Sequence, residues 1–177
     1  MDFDGKRLKT RWLHASLSDS HWRLTDGEGV VVREAKNLKS TAYGQGCHSI
    51  AVADVDDDGL DEITYGSAAI DHDGSLLYST GLGHGDAQHL ADLDPSRPGL
   101  EYYMVHEAYP YGADLRDART GEILWSEPAS VDTGRGLAAD IDAEYEGCEM
   151  WHICNPVVRD IHGNAISDSL PAINFRI

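Results

Sequence analysis

Long apolar runs are missing from this chain. Nothing in its 177 residues approaches the ~20 consecutive apolar residues of a transmembrane helix, so no membrane partner is expected. Heptads and long amphipathic periods are missing too, which sets aside bundles and coiled coils. Cysteine is scarce: Cys47, Cys148 and Cys154 are odd in number and lack a C-x-x-C pair, so neither a zinc site nor a complete disulfide framework is indicated. They read as ordinary small residues. Positive charge is short as well, with 14 Lys and Arg against 31 Asp and Glu and a formal net charge of −17. Spread thinly along the chain, those cations cannot supply the clustered surface that a phosphate backbone requires, so nucleic acid is excluded as a partner. The opening MDFDGKR has basic residues but no apolar stretch behind them, and no signal peptide is expected in it.

What the chain does have is turn chemistry and core material. Eighteen Gly, six Pro and 41% hydrophobic residues with eight Tyr and four Trp favour many short strands joined by turns, an all-β class. One unit recurs three times, as HSIAVADVDDDGLDEITYG, AQHLADLDPSRPGLEYYMVHE and GLAADIDAEYEGCEMWHIC. Each reads as strand, acidic loop, strand, and each is followed by a hairpin-like turn, DHDGSLLYS, DARTGEILWS or RDIHGNAIS. Starts at Asp54, Asp92 and Asp140 give periods of 38 and 48 residues, near the ~40 to 50 of four-stranded propeller blades. A β-propeller covered for about three to four blades is the expected architecture. Residues 44–177 form its calcium-binding blades. Residues 1–43 are expected to be the end of a preceding blade, with DFDGKRLKTRWLHAS as turn and strand, followed by an irregular loop over 17–43. SLPAINFRI stops within a strand-like run, so both ends look cut.

The acidic loops point to Ca²⁺. In the first, Asp54, Asp56 and Asp58 occupy positions one, three and five, Gly59 six, Leu60 seven and Glu62 nine. Alternate carboxylates in a tight loop converge, Gly permits the turn, and the Leu60 carbonyl adds an oxygen, toward the six to eight hard ligands calcium takes. An EF-hand would need a bidentate Glu at position twelve between helices; position twelve is Tyr65, and the flanks read as strands. The second loop offers Asp92, Asp94 and Glu101, and the third Asp140, Asp142 and Glu149, both closing at position ten. Several carboxylates crowded without a cation repel one another, and three spaced copies make solvated turns the weaker explanation. Asp71, Asp86 and Glu107 are candidates for further cation sites.

Each loop is preceded by a polar residue in a glycine-rich approach: His48 in GQGCHS, His84 in GLGHGDAQH, which also holds His89, and Arg135 in DTGRG. Glycine neighbours leave a guanidinium fork free to meet a carboxylate. In a propeller these approaches lead into inner strands, so the three are expected to converge at one end of the central channel.

These stretches, with LRDARTGEILW and INFRI, closely resemble the rhamnogalacturonan lyases of polysaccharide lyase family 11 over residues 44–177, and MDFDGKRLKTRW resembles the strand before them. The resemblance implies an eight-bladed propeller carrying several Ca²⁺ ions, of which this chain is about a third. It also implies a secreted or periplasmic enzyme, monomeric at full length, acting on pectic rhamnogalacturonan I. By the same resemblance His48 and His84 correspond to cleft histidines and Arg135 to a cleft arginine, giving the candidate catalytic set, while the family's cleft lysine falls beyond Ile177. Cys47 departs from the Asn expected before His48.

The implied reaction is β-elimination, with loss of the galacturonate C5 proton and departure of the C4 glycosidic oxygen. Arg135 would serve as carboxylate clamp or base, and His48 and His84 as metal ligands or substrate contacts. His84 counts among the candidate metal ligands for that reason. A −17 chain repels a polyuronate unless cations intervene, and each filled loop offsets two charges. The alternative is a non-catalytic calcium propeller of the FG-GAP kind for adhesion or carbohydrate binding, which explains the acidic loops but not GLGHGD or GRG.

Overall fold

A computed structural model of the chain describes residues 46–171 and the backbone of two strands, at 20–25 and 31–38. Those two, β1 (Ser20–Thr25) and β2 (Val31–Leu38), pair antiparallel. An irregular loop was expected there. The overlooked signal is Asp26-Gly27, a hairpin dipeptide, ahead of the β-branched run Val30–Val32. The turn and strand expected before Leu17, the boundary at residue 43 and the end of SLPAINFRI lie outside the described residues.

Twelve further strands form three sheets of four. The first contains β3 (Ala51–Ala53), β4 (Glu62–Tyr65), β5 (Ala68–Ile70) and β6 (Leu76–Ser79). The second contains β7 (Gly85–Ala91), β8 (Glu101–His106), β9 (Ala113–Asp117) and β10 (Ile123–Glu127). The third contains β11 (Gly136–Ala139), β12 (Glu149–His152), β13 (Asn155–Arg159) and β14 (Ala165–Ser167). In every sheet spatial order follows chain order and neighbours run antiparallel. No described residue is helical. The chain is thus all-β with the strand–loop–strand repeat intact.

The second sheet lies between the other two. All six residues of β8 are buried, as expected of a strand covered on both faces. Tyr102 and Met104 join Cys47, Val55 and Ala118 in one core cluster, toward the first sheet. Tyr103 and Val105, one residue out of phase, join Leu93, Leu115, Met150 and Ile161 in another, toward the third. Arg116 adds a polar tie. It is fully buried, bonds Asp114 through Nε at 2.7 Å and Nη2 at 2.7 Å, and donates from Nη1 to Gly66 C=O of the first sheet at 3.3 Å. His106 completes this buried group at 2.5 Å from Asp114 Oδ1.

Antiparallel order sorts the connections into two ends. The acidic loops follow the first strand of each sheet, and the turns starting at Asp71, Asp117 and Asp160 follow the third, so both occupy one end, the loop end. The stretches entering each sheet, and the links between second and third strands, occupy the other, the entry end. There Cys47 bridges Gly85 in parallel, His48 N–H donates to Gly85 C=O at 3.2 Å, and Thr133 N–H donates to His106 C=O at 3.1 Å. A Cβ on Gly85 would fall 2.6 Å from Met104 Sδ and 3.0 Å from Gly66 Cα, so only glycine allows this approach. Cys47, Cys148 and Cys154 are free thiols, Cys47 serving as core.

Candidate active site

The entry end gathers the three residues singled out in the glycine-rich approaches. His48 and His84 meet edge to face with ring centroids 4.8 Å apart. Glu107, just past β8, donates its backbone N–H to His84 C=O at 3.0 Å and places Oε2 3.4 Å from His84 Nε2. One ligand atom each from His48, His84 and Glu107 lie within 4.8 Å of one another. Arg135 reaches the same region through Asp86, with Nη1 3.5 Å from Asp86 Oδ1, and its C=O accepts Ile153 N–H at 3.1 Å. A Cβ on Gly134 would come within 3.0 Å of Asp86 Oδ2, so the glycine before Arg135 lets this loop close on Asp86.

The electrostatics of the cluster are balanced around Asp86. Burial pushes its carboxyl pKa up, His48 and Arg135 pull it down, and Asp132 and Glu107 push it up again. Asp132 is a member of this group that the sequence reading missed; lying three residues before Arg135 in a connecting segment, it belongs to no acidic pattern. His89 lies within β7 instead, where burial lowers its imidazole pKa.

The acidic loops follow these approaches closely in sequence, but strand direction separates the two. His84 and Asp92 bracket the seven residues of β7, about 23 Å at ~3.3 Å per residue. Asp71 goes with the loop end, and Asp86 and Glu107 with the entry end. Strands flank the first loop, which removes the EF-hand.

Within the loops the closing glutamates have a role beyond ligation. Glu62, Glu101 and Glu149 open the second strand of each sheet and are buried. Glu62 Oε2 accepts Val55 N–H at 2.9 Å; Glu101 Oε2 accepts Leu93 and Asp94 N–H at 3.0 and 2.9 Å; Glu149 Oε2 accepts Ile141 and Asp142 N–H at 2.8 and 3.0 Å. Gly59, Gly99 and Gly147 turn each loop at positive φ, at 90°, 100° and 85°.

The remaining glutamate oxygens test whether a cation fits. Glu62 Oε1 and Glu149 Oε1 are buried with no hydrogen-bond partner, an arrangement that costs about 1–3 kcal/mol per group unless something compensates it. In the first loop the Asp54, Asp56 and Asp58 carboxylates lie within 4.8 Å of one another. Burial raises the Glu62 pKa, the Val55 N–H lowers it, and Asp56, Asp58 and Asp71 raise it further, the mark of surplus negative charge. The first loop therefore fits a dication, while in the third the unpartnered Glu149 Oε1 alone points to one. The second differs: Arg97 Nε stands 3.8 Å from Glu101 Oε1, and Asp94 Oδ1 accepts both the N–H and the hydroxyl of Ser96, so part of its charge is already met from within. Arg97 carries no signal in the D-x-D pattern and was missed.

Three four-stranded antiparallel meanders with repeated acidic loops and a two-histidine, one-arginine cluster at one end define an all-β repeat scaffold, and comparison with known proteins gives its family. The family model for the rhamnogalacturonan lyase family 11 C-terminal domain matches residues 1–177, and the chain belongs to this family. It is 49% identical over 187 residues to rhamnogalacturonan exolyase YesX of Bacillus subtilis, covering 99% of this chain and 28% of that protein. It is 54% identical over 183 residues to rhamnogalacturonan endolyase YesW of the same organism, covering 98% and 29%. The crystal structure of YesW superimposes with a TM-score of 0.78 at 44% identity, over 88% of this chain and 28% of that one. The chain thus spans less than a third of the relatives it matches.

Proposed function

We propose that this chain is part of a rhamnogalacturonan lyase that cleaves the rhamnogalacturonan I backbone of pectin by β-elimination at galacturonate C4. Two relatives named as a rhamnogalacturonan exolyase and a rhamnogalacturonan endolyase support the reading. The observation that carries it is the entry-end convergence of His48, His84, Glu107, Asp86 and Arg135 across three sheets. The three sheets are consecutive blades of a propeller, eight-bladed as the family resemblance implies, and the entry-end cluster lies at one mouth of its channel.

In this reading Arg135, half exposed, presents its guanidinium to the uronate carboxylate. Its 3.5 Å contact with Asp86 supports a clamp rather than a base, since it shows the guanidinium fork placed to meet a carboxylate. Neutralising the uronate carboxylate makes the C5 proton easier to remove. A base of the cleft takes the C5 proton, the electron pair left at C5 forms the C4–C5 double bond, and the C4 glycosidic oxygen departs and takes a proton from water. His48 and His84 flank the reacting sugar, and the Asp86 and Glu107 carboxylates would hold a Ca²⁺ ion beside them. When bound, that ion supplies further positive charge at the uronate carboxylate. At the loop end Asp54, Asp56, Asp58, the Leu60 carbonyl and Glu62, with Asp71 nearby, and Asp140, Asp142 and Glu149 would hold structural Ca²⁺. Asp92, Asp94 and Glu101 form the weaker third set because of Arg97. A polymeric pectic substrate is met outside the cytoplasm, so a secreted or periplasmic location follows, and a closed propeller would act as a monomer.

The test is ultraviolet absorbance of unsaturated uronate released from rhamnogalacturonan by the protein that carries this chain. Product release that vanishes in Arg135→Ala sustains the proposal. Binding of the polymer without product would instead favour the non-catalytic adhesion or carbohydrate-binding alternative.

A further inference from the structure

The first acidic loop faces a side chain whose counterparts in the other sheets are apolar. In the turns that close the third strand of each sheet, the residue after the leading Asp is His72, Ala118 or Ile161. Ala118 and Ile161 are buried core contacts. His72 instead directs Nδ1 into the loop, 2.7 Å from Asp71 Oδ1, 3.3 Å from Asp58 Oδ2 and 3.7 Å from Glu62 Oε1. Three carboxylates thus surround one imidazole nitrogen, and a proton on that nitrogen can answer only part of their charge. Glu62 is fully buried, and its Oε1, aimed at this point, has no hydrogen-bond donor.

We propose that Asp58 Oδ2, Glu62 Oε1 and His72 Nδ1 form a seat for a borderline divalent metal, Zn²⁺ being its representative, which shares Asp58 and Glu62 with the calcium seat of the first loop and adds His72. One ligand atom from each of the three lies within 4.8 Å of the others. The 3.3 and 3.7 Å separations from Nδ1 bracket the edge of a tetrahedron around a metal, about 3.4 Å for metal–ligand bonds of about 2.1 Å. Imidazole distinguishes the two seats, because calcium takes oxygen ligands whereas zinc and its neighbours favour nitrogen. Asp58 serves both: its Oδ1 accepts Leu60 N–H at 2.8 Å inside the loop, while Oδ2 turns to His72. The metal replaces the Nδ1 proton, which leaves to solvent, and water completes the coordination on the exposed side.

Calorimetric titration of the intact chain with Zn²⁺ alone and with Ca²⁺ alone tests this in wild type, His72→Ala, His72→Gln and a His48→Ala/His84→Ala pair. Both His72 variants should weaken zinc binding at this seat by about 10- to 100-fold and leave calcium affinity within about threefold. The paired entry-end variant should retain it. Unchanged zinc binding in the His72 variants overturns the proposal, as does a calcium loss equal to the zinc loss. Should the variants fail to fold, anomalous diffraction at the zinc edge from zinc-soaked wild-type crystals decides. A peak between Asp58, Glu62 and His72 sustains the seat, and peaks confined elsewhere overturn it.

Discussion

The two ends of the three sheets come from one repeat and treat charge in opposite ways. At the loop end the same solution appears in each sheet: a buried glutamate opens the second strand and accepts the loop's own N–H groups, and a glycine at positive φ turns the chain. At the entry end the three sheets contribute different side chains, His48, His84 and Arg135, whose partners come from other segments and neighbouring sheets. Repetition therefore marks the scaffold, and departure from repetition marks the candidate chemistry. Calcium held at the loop end, as proposed, would act through stability, since a strand's length separates that end from the entry-end cluster.

The sharpest way to break that division is to strike each end separately. Arg135→Ala should lower kcat/KM by about 10²–10³-fold, the loss typical of one preorganised charge donor. Because Arg135 is half exposed, its melting temperature should stay near wild type; an equal loss of stability and activity would erase the distinction between the ends. Glu149→Gln should do the reverse. It weakens the acceptor of two loop N–H groups, which at about 1–2 kcal/mol lowers Tm by roughly 2–8 °C for a chain of this length. Initial rates measured well below Tm should hold.

A smaller effect is expected from acid. Burial opposes ionisation of Glu127, yet hydrogen bonds from Arg159 and Asn155 and the nearby His152 hold its pKa down at about 2, against 4.5 for an ordinary Glu. A depressed carboxyl contributes stability fully above the unfolded value and loses it as pH falls from 4.5 through about 2. With calcium chelated to leave the loops out, melting should decline across that window, and Glu127→Gln should flatten the decline. Smallest is Arg97→Ala: as a partly exposed ion-pair partner it should cost under about 1 kcal/mol. Calorimetry should then find calcium binding at the second loop strengthened.

Much of this was legible in the sequence because it is local. Loop, glycine and turn recur in register, so the order strand, acidic loop, strand and the turns at Asp71, Asp117 and Asp160 follow from spacing alone. The entry-end set was legible through its glycine neighbours. What escaped depends on the third dimension. Nothing in D-x-D spacing says that His72 folds back on Asp58, that Arg97 leans on Glu101, or that Asp132 faces Asp86. The placement of loops and approaches at opposite ends was available, since a single strand connects each pair, but it was outweighed by their closeness in sequence. The hairpin of Ser20–Thr25 and Val31–Leu38 was missed because the polar pairs Arg33-Glu34 and Lys36-Asn37 break the alternation of its second strand.

The buried Arg116 bears on how such a repeat can evolve. Sheets that look alike invite the notion of interchangeable modules, duplicated or shuffled at will. Yet this guanidinium sits in the second sheet and finds acceptors in the first, at Gly66 C=O and Thr80 Oγ1. Any recombination that parts the two leaves the buried guanidinium without these acceptors, though its ion pair with Asp114 of the same strand stays. The first and second sheets are therefore inherited as a pair, and the Arg159–Glu127 ion pair and the Trp125 Nε1–H bond to Ile161 C=O tie the second to the third in the same way.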